Sequence, residues 1–212
     1  MHSLGILGGT FDPVHFGHLR LALEMKERLG LDWGVHLVPA AITPLRGQAG
    51  ASGPERLEML QAAVENIDGL KVDGRELERD GPSYTIDTME TMRAEYPHSS
   101  LSFIVGMDAF AQLHRWRRWQ ELLDFANIAV AQRPGAKFPD NIELARFVAE
   151  HEVMEPGELS HSKAGRVCVI DVPPLAISAT YVRSLIAEGR SVRFLVPESV
   201  LQLIDINGAY CA

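Results

Sequence analysis

Short apolar runs alternate along the chain with longer stretches of helical periodicity. The runs Leu4–Leu7, Val35–Pro39, Leu101–Val105, Ile128–Ala131 and Val167–Val172 are almost continuously apolar, as strands buried on both faces must be. Between and after them, apolar positions recur every three to four residues over Leu19–Leu29, Pro54–Asn66, Thr85–Tyr96, Trp119–Phe125, Ile142–His151, Ala179–Glu188 and Pro197–Ile206. That spacing is the helical repeat. Pro54 suits a helix start, where its preset φ helps and its missing N–H costs nothing. The alternation predicts an α/β fold, a doubly wound parallel sheet with helices on both faces. Ligands of such sheets bind at the carboxyl ends of the strands. The polar stretches Thr43–Pro54 and Glu155–Arg166 read as surface loops, the first placed to cover a site. The expected organisation is a single domain over residues 1–212, its C-terminal helices (about 178–207) packed as a small subdomain.

Composition narrows this picture. The chain has 212 residues, 46% hydrophobic and 23% charged, an ordinary globular balance. No apolar run reaches the roughly 18 residues of a membrane span, and no charged-then-apolar leader opens the chain. Two cysteines, Cys168 and Cys211, are too few for a disulfide framework, and Cys168 sits in an apolar run as a buried thiol. The expectation is a cytoplasmic protein with no membrane partner. A formal charge of −8 argues against nucleic acid as a partner. A small phosphate ligand needs only a local positive site, so the charge does not oppose one.

The chemistry concentrates in Gly8-Gly9-Thr10-Phe11-Asp12-Pro13-Val14-His15-Phe16-Gly17-His18, between the first strand and the first helix. A helix N-terminus already attracts anions, because its first amides lack partners and carry the positive end of the macrodipole. His15 and His18, three apart, add two donors on one face. The fitting guest is a polyphosphate. The run is neither a dinucleotide fingerprint nor a P-loop, since no Gly-Lys-Ser/Thr occurs in the chain. As zinc ligands the two histidines lack an obvious third partner.

A second helix start follows the last strand, in Ile177-Ser178-Ala179-Thr180-Tyr181-Val182-Arg183. Ser178 is the candidate cap, and Thr180 and Arg183 share a face. A guanidinium there can grip phosphate oxygens with two parallel bonds. Gly106 and Asp108 close the strand Phe103–Val105, where a ribose could be held, or where an acidic residue simply caps a helix. Gly81-Pro82-Ser83-Tyr84-Thr85-Ile86-Asp87 reads as another helix start, with Thr85 as its cap and amides that could take a carboxylate.

GGTFDPVHFGH resembles the G-x-F-D-P-x-H-x-G-H signature of the nucleotidyltransferase superfamily, which transfers a nucleotide onto a phosphate and releases pyrophosphate. Residues 177–183 resemble its I-S-S/A-T-x-x-R/K signature. Within that superfamily the chain, from about Leu4 to Leu195, is most similar to the bacterial nicotinate-nucleotide adenylyltransferases. The resemblance implies a Rossmann-like sheet and transfer of AMP from ATP to nicotinate mononucleotide. It places ATP against Gly8, Gly9, Thr10, Phe11, Gly17, Gly106, Asp108, Ile177, Ser178 and Thr180. His15, His18 and Arg183 would do the catalytic work, His18 at the α-phosphate. The mononucleotide falls to main-chain donors at Tyr84 and Thr85, to Trp116 stacking on the pyridine ring, and to Arg133 near its phosphate. Trp119 stays structural. Mg²⁺ would come with ATP, held by phosphate oxygens and water rather than by a protein carboxylate cage. One departure stands out: where relatives carry a P-x-H-K-like cluster, this chain has Thr43-Pro44-Leu45-Arg46. Leu45 replaces the histidine, and Arg46 is the remaining candidate for phosphate charge. Other acceptors, such as nicotinamide mononucleotide or phosphopantetheine, and a non-catalytic nucleotide-binding role are the alternatives.

Overall fold

The computed structural model describes residues 1–42, 49–132, 138, 140–173 and 175–210. Six parallel strands form one sheet: β1 (Ser3–Gly9), β2 (Val35–Pro39), β3 (Leu70–Val72), β4 (Ser100–Gly106), β5 (Asn127–Gln132) and β6 (Val167–Asp171). Their spatial order is β3-β2-β1-β4-β5-β6. The chain therefore winds outwards from β1 in one direction and then restarts beside it with β4. Leu7 pairs with Leu37 on one side and Ile104 on the other. At this reversal the carboxyl ends of β1 and β4 lie side by side, the usual binding place of a doubly wound sheet.

The five apolar runs of the sequence all become strands. β3 escapes the pattern because three residues, Leu70-Lys71-Val72, are too few to show a period. The helices are α1 (Phe16–Leu29), α2 (Gly53–Val64), α3 (Thr85–Glu95), α4 (Met107–Phe110), α5 (Leu122–Phe125), α6 (Ile142–His151), α7 (Ala179–Ala187) and α8 (Glu198–Asn207). The periodic segment 119–125 splits into a 3₁₀ turn, Trp119–Glu121, and the single-turn α5. At the start of α2, the Ser52 amide donates to Glu55 Oε2 at 2.7 Å and Pro54 occupies the first turn.

Alternate residues of the strands feed two cores. Leu7, Leu37, Ile104, Cys168 and Ile170 join the layer under α1 and α2, where Val182, Leu185, Val200 and Ile204 of α7 and α8 also bury. Leu4, Ile6, Phe103, Val105 and Ile128 face the opposite layer, with Ile86, Phe110 and Trp119. Cys168 is free and buried, and burial pushes its thiol up to about 11. Among the described residues, no helix is long and apolar enough to cross a membrane.

Polar ties anchor the far edge. Asn127, fully buried, donates to the carbonyls of Leu159 (3.0 Å) and Ser162 (2.8 Å) and accepts from the Arg166 amide (3.1 Å). Asn127→Ala strands these groups away from water, so it should cost roughly 1–3 kcal/mol. The expected readout is a lower urea midpoint with an unchanged m-value.

Candidate active site

β1 delivers Gly8 and Gly9 to the sheet reversal, and the chain then turns through residues 10–14. Phe11 adopts φ 47, a left-handed backbone that a bulky residue rarely takes, and its ring is 1% exposed. Burial of the ring offsets the cost of the turn. His15 is the N-cap of α1. Its amide donates to His18 Nδ1 at 3.3 Å, and the two imidazoles stack at 3.7 Å and 20°. The Phe11 and His18 rings pack edge to face, their centroids 4.9 Å apart. Gly17 makes this stack possible: a Cβ there would lie 2.9 Å from His15 Nδ1 and 3.4 Å from the Ile177 carbonyl. The missing side chain thus lets His15 fold over the helix start and lets the entry to α7 approach.

His15 is 5% exposed, and its Nδ1 is buried without a hydrogen-bond partner among the described residues. Burial pushes its imidazole down to about 4, so His15 meets neutral pH as an uncharged ring. It contributes orientation and one donor or acceptor, not a positive charge.

The second helix start lies against the first. Ser178 caps α7, its Oγ accepting from the Tyr181 amide at 3.2 Å, as the cap pattern predicts. Thr180 is exposed in the first turn. One turn further, Arg183 is half-buried, and its Nη1 donates to the Asp12 carbonyl at 2.7 Å and lies 3.4 Å from Asp12 Oδ2. Both signatures therefore meet in one place.

Asp12, Arg56 and Tyr210 also build this centre, though none stood out in the sequence. Asp12 is 4% exposed and accepts from the amides of Gly50 (2.8 Å) and Ala51 (3.0 Å) and from the Tyr210 hydroxyl (2.9 Å). Arg56 is buried; Nη1 donates to the Thr10 carbonyl (2.7 Å) and Nη2 to that of Ala41 (3.4 Å). Arg56 did leave a signal: with Met59, Leu60 and Ala63 it falls on the inward stripe of α2, where a charge needs a reason.

On the β4 side, Gly106 caps the short α4 and Asp108 is exposed in its first turn. Phe103 links the two halves: a Cβ on Gly8 would lie 3.9 Å from its ring, and the half-buried Trp116 packs 6.1 Å away on it. Trp119 is buried against Phe147 at 4.7 Å, which makes it part of the core. At α3 the cap position belongs to Tyr84, and Thr85 is the first helical residue, one step from the expected register. No side chain caps this end, so its first amides have no acceptor within the helix. Arg117 places its guanidinium 4.7 Å over the Tyr84 ring. Ser83 ties the segment to the exit of β2: its amide donates to the Ile42 carbonyl (2.9 Å) and its Oγ accepts from the Ala41 amide (3.0 Å). Arg46 and Arg133 lie outside the described residues.

The two signature-bearing helix starts lie together at the reversal of a β3-β2-β1-β4-β5-β6 sheet. Residues 6–185 match the family model described as cytidylyltransferase-like. A Pseudomonas putida protein named "Probable nicotinate-nucleotide adenylyltransferase" is 48% identical over 213 residues, covering 100% of this chain and 92% of its own. A Marinobacter nauticus protein of the same name is 48% identical over 208 residues, covering 98% and 96%. Among solved structures, Plasmodium falciparum nicotinic acid mononucleotide adenylyltransferase complexed with NaAD superposes with a TM-score of 0.72 at 16% identity, covering 99% of this chain and 98% of that one. The chain belongs to the cytidylyltransferase-like family of nucleotidyltransferases, and within it to the nicotinate-nucleotide adenylyltransferases.

The neutral state of His15 makes stability depend on pH. An unfolded imidazole takes up its proton near 6.5 and the folded one near 4. The stability this ring lends is full above pH 6.5 and is lost as pH falls towards 4, in total on the order of 3 kcal/mol. His15→Gln should flatten that part of the profile, measured as urea midpoints at pH 7 and pH 4.5.

Proposed function

We propose that this protein transfers AMP from ATP to nicotinate mononucleotide, forming nicotinate adenine dinucleotide and pyrophosphate. The observation that carries this reading is the junction of the two helix starts, with Arg183 of α7 hydrogen-bonded to the loop that opens α1. Amides, imidazole and guanidinium converge there, a donor set suited to a triphosphate.

The attacking atom is a phosphate oxygen of the mononucleotide, already ionised at neutral pH, so no general base is required. It forms a bond to the α-phosphorus of ATP as the bond from that phosphorus to the bridging oxygen breaks, and pyrophosphate leaves with the electron pair. Positioning and electrostatic stabilisation supply the acceleration. His18, steadied by the His15 and Phe11 rings, addresses the α-phosphate. Arg183 and the loop amides at Thr10 and Phe11 hold the remaining phosphates, and Gly8, Gly9 and Gly17 admit them without side-chain obstruction. Ile177, Ser178 and Thr180 line the second helix start, and Gly106 and Asp108 take the adenosine side. The open start of α3, at Tyr84 and Thr85, receives the nicotinate carboxylate, and Trp116 stacks on the pyridine ring.

Mg²⁺ fits this site as an ion carried by the substrate. The carboxylate at the loop, Asp12, already accepts from N–H and O–H donors, and a hard cation finds its oxygens on the phosphates. When bound, it offsets the phosphate charge.

Pyrophosphate release with ATP and Mg²⁺, run with nicotinate mononucleotide, nicotinamide mononucleotide and 4′-phosphopantetheine, tests the reading. Turnover should be strong with nicotinate mononucleotide alone. Turnover with another acceptor would discard the α3 assignment, and ATP binding without release from any acceptor would leave a binding module. His18→Ala should lower turnover by roughly 10²–10³-fold while the protein stays folded. Near-normal turnover in a folded His18→Ala protein would remove His18 from the mechanism.

A further inference from the structure

The end of the chain returns to the phosphate loop. Tyr210 follows α8 just beyond Gly208 and is half-buried. Its hydroxyl donates to Asp12 Oδ1 at 2.9 Å. Burial and the Asp12 charge push its phenol up, so it stays protonated and acts as a donor. Its ring covers Gly50: a Cβ there would fall 2.9 Å from Tyr210 Cδ1 and 3.3 Å from Arg183 Cδ. The Tyr210 ring, the Gly50 backbone and the stem of Arg183 therefore pack as one unit around Asp12.

Among the described residues, the two oxygens of Asp12 take three donors and one ion-pair partner. Oδ1 takes the Ala51 amide and the Tyr210 hydroxyl; Oδ2 takes the Gly50 amide and faces Arg183. Arg183 is the loosest of the four, at 3.4 Å from Oδ2, while it keeps 2.7 Å to the Asp12 carbonyl. An arginine beside a buried carboxylate would otherwise close onto it with two parallel bonds and spend its charge there. The Tyr210 hydroxyl occupies the oxygen that the second bond would need.

We propose that Tyr210 is a positioning residue for the triphosphate, which by engaging Asp12 Oδ1 keeps Arg183 from pairing fully with the carboxylate and leaves its N–H groups for phosphate oxygens. The proposal rests on the reading above that Arg183 contacts ATP. It extends the ATP site to the C-terminal end of the described chain, where neither signature points.

Tyr210→Phe tests it, because the ring that fills the space over Gly50 is kept and only the hydroxyl is lost. The expected result is an ATP KM and an ATP Kd raised about 3–10-fold, the scale of one ordinary hydrogen bond. The KM for the mononucleotide and the melting temperature should change little. In an Arg183→Ala background, the same substitution should add no further loss of ATP affinity, since its effect passes through Arg183. Unchanged ATP affinity in Tyr210→Phe would overturn the proposal. So would an equal loss with or without Arg183, or a loss of both substrates that tracks a lowered melting temperature, for then Tyr210 only holds the fold. If Arg183→Ala alone leaves ATP binding intact while Tyr210→Phe weakens it, the reading of Arg183 fails and the proposed route fails with it.

Discussion

A buried carboxylate is tolerated only when its lone pairs are filled, and Asp12 imposes that demand on the phosphate loop. Left unpaired, such a charge costs several kcal/mol. Its donors come from the entry to α2, from α7 and from the end of the chain. No local stretch of sequence can supply them. The loop after β1 therefore reaches its geometry only when distant parts of the fold have closed around it. Local glycines permit the loop its path, and tertiary structure holds it there.

The same arrangement explains how a chain of net charge −8 can offer a site to a polyanion. In the proposed site the attraction comes from amides and dipoles at two helix starts and from a few aimed donors, while the overall field works against it. Of the two histidines, burial removes one from the electrostatics. His15 serves as the neutral floor against which His18 stacks, and Gly17 provides the room. Such a site loses little when surface charge elsewhere changes, because its positive character is built into the backbone.

What the sequence made legible follows from the range of each interaction. Apolar runs announced β1, β2, β4, β5 and β6 because a strand covered on both faces leaves little freedom of composition. β3 carried too few residues to show it. The two signatures were readable because a helix start, its cap and the residue three positions on are neighbours in sequence. Ser178 and Arg183 fell where that logic put them. Asp12 stood in plain view within the motif, yet its role depended on partners as remote as Tyr210. Arg56 broke the apolar stripe of α2, and the two carbonyls it meets and the charge of Asp12 explain why. The one-residue difference at α3, Tyr84 for Thr85, reflects a helix end with no capping side chain to mark it.

The start of α3 and the loop after β1 are also joined by side-chain bonds to the main chain. From the Thr10 carbonyl, Arg56 reaches across to Ala41, and the 41–42 segment in turn holds Ser83, next to the start of α3. The chain of bonds works as a ruler. Displacement in line requires the reacting atoms to meet within about 3–3.5 Å, and in the proposed assignment this ruler sets the span between the start of α3 and the loop after β1. Side chains around Trp116 and Tyr84 could be exchanged to admit a different ring without altering that span. Under the proposed assignment, acceptor length between anchor and phosphate is the quantity this span selects.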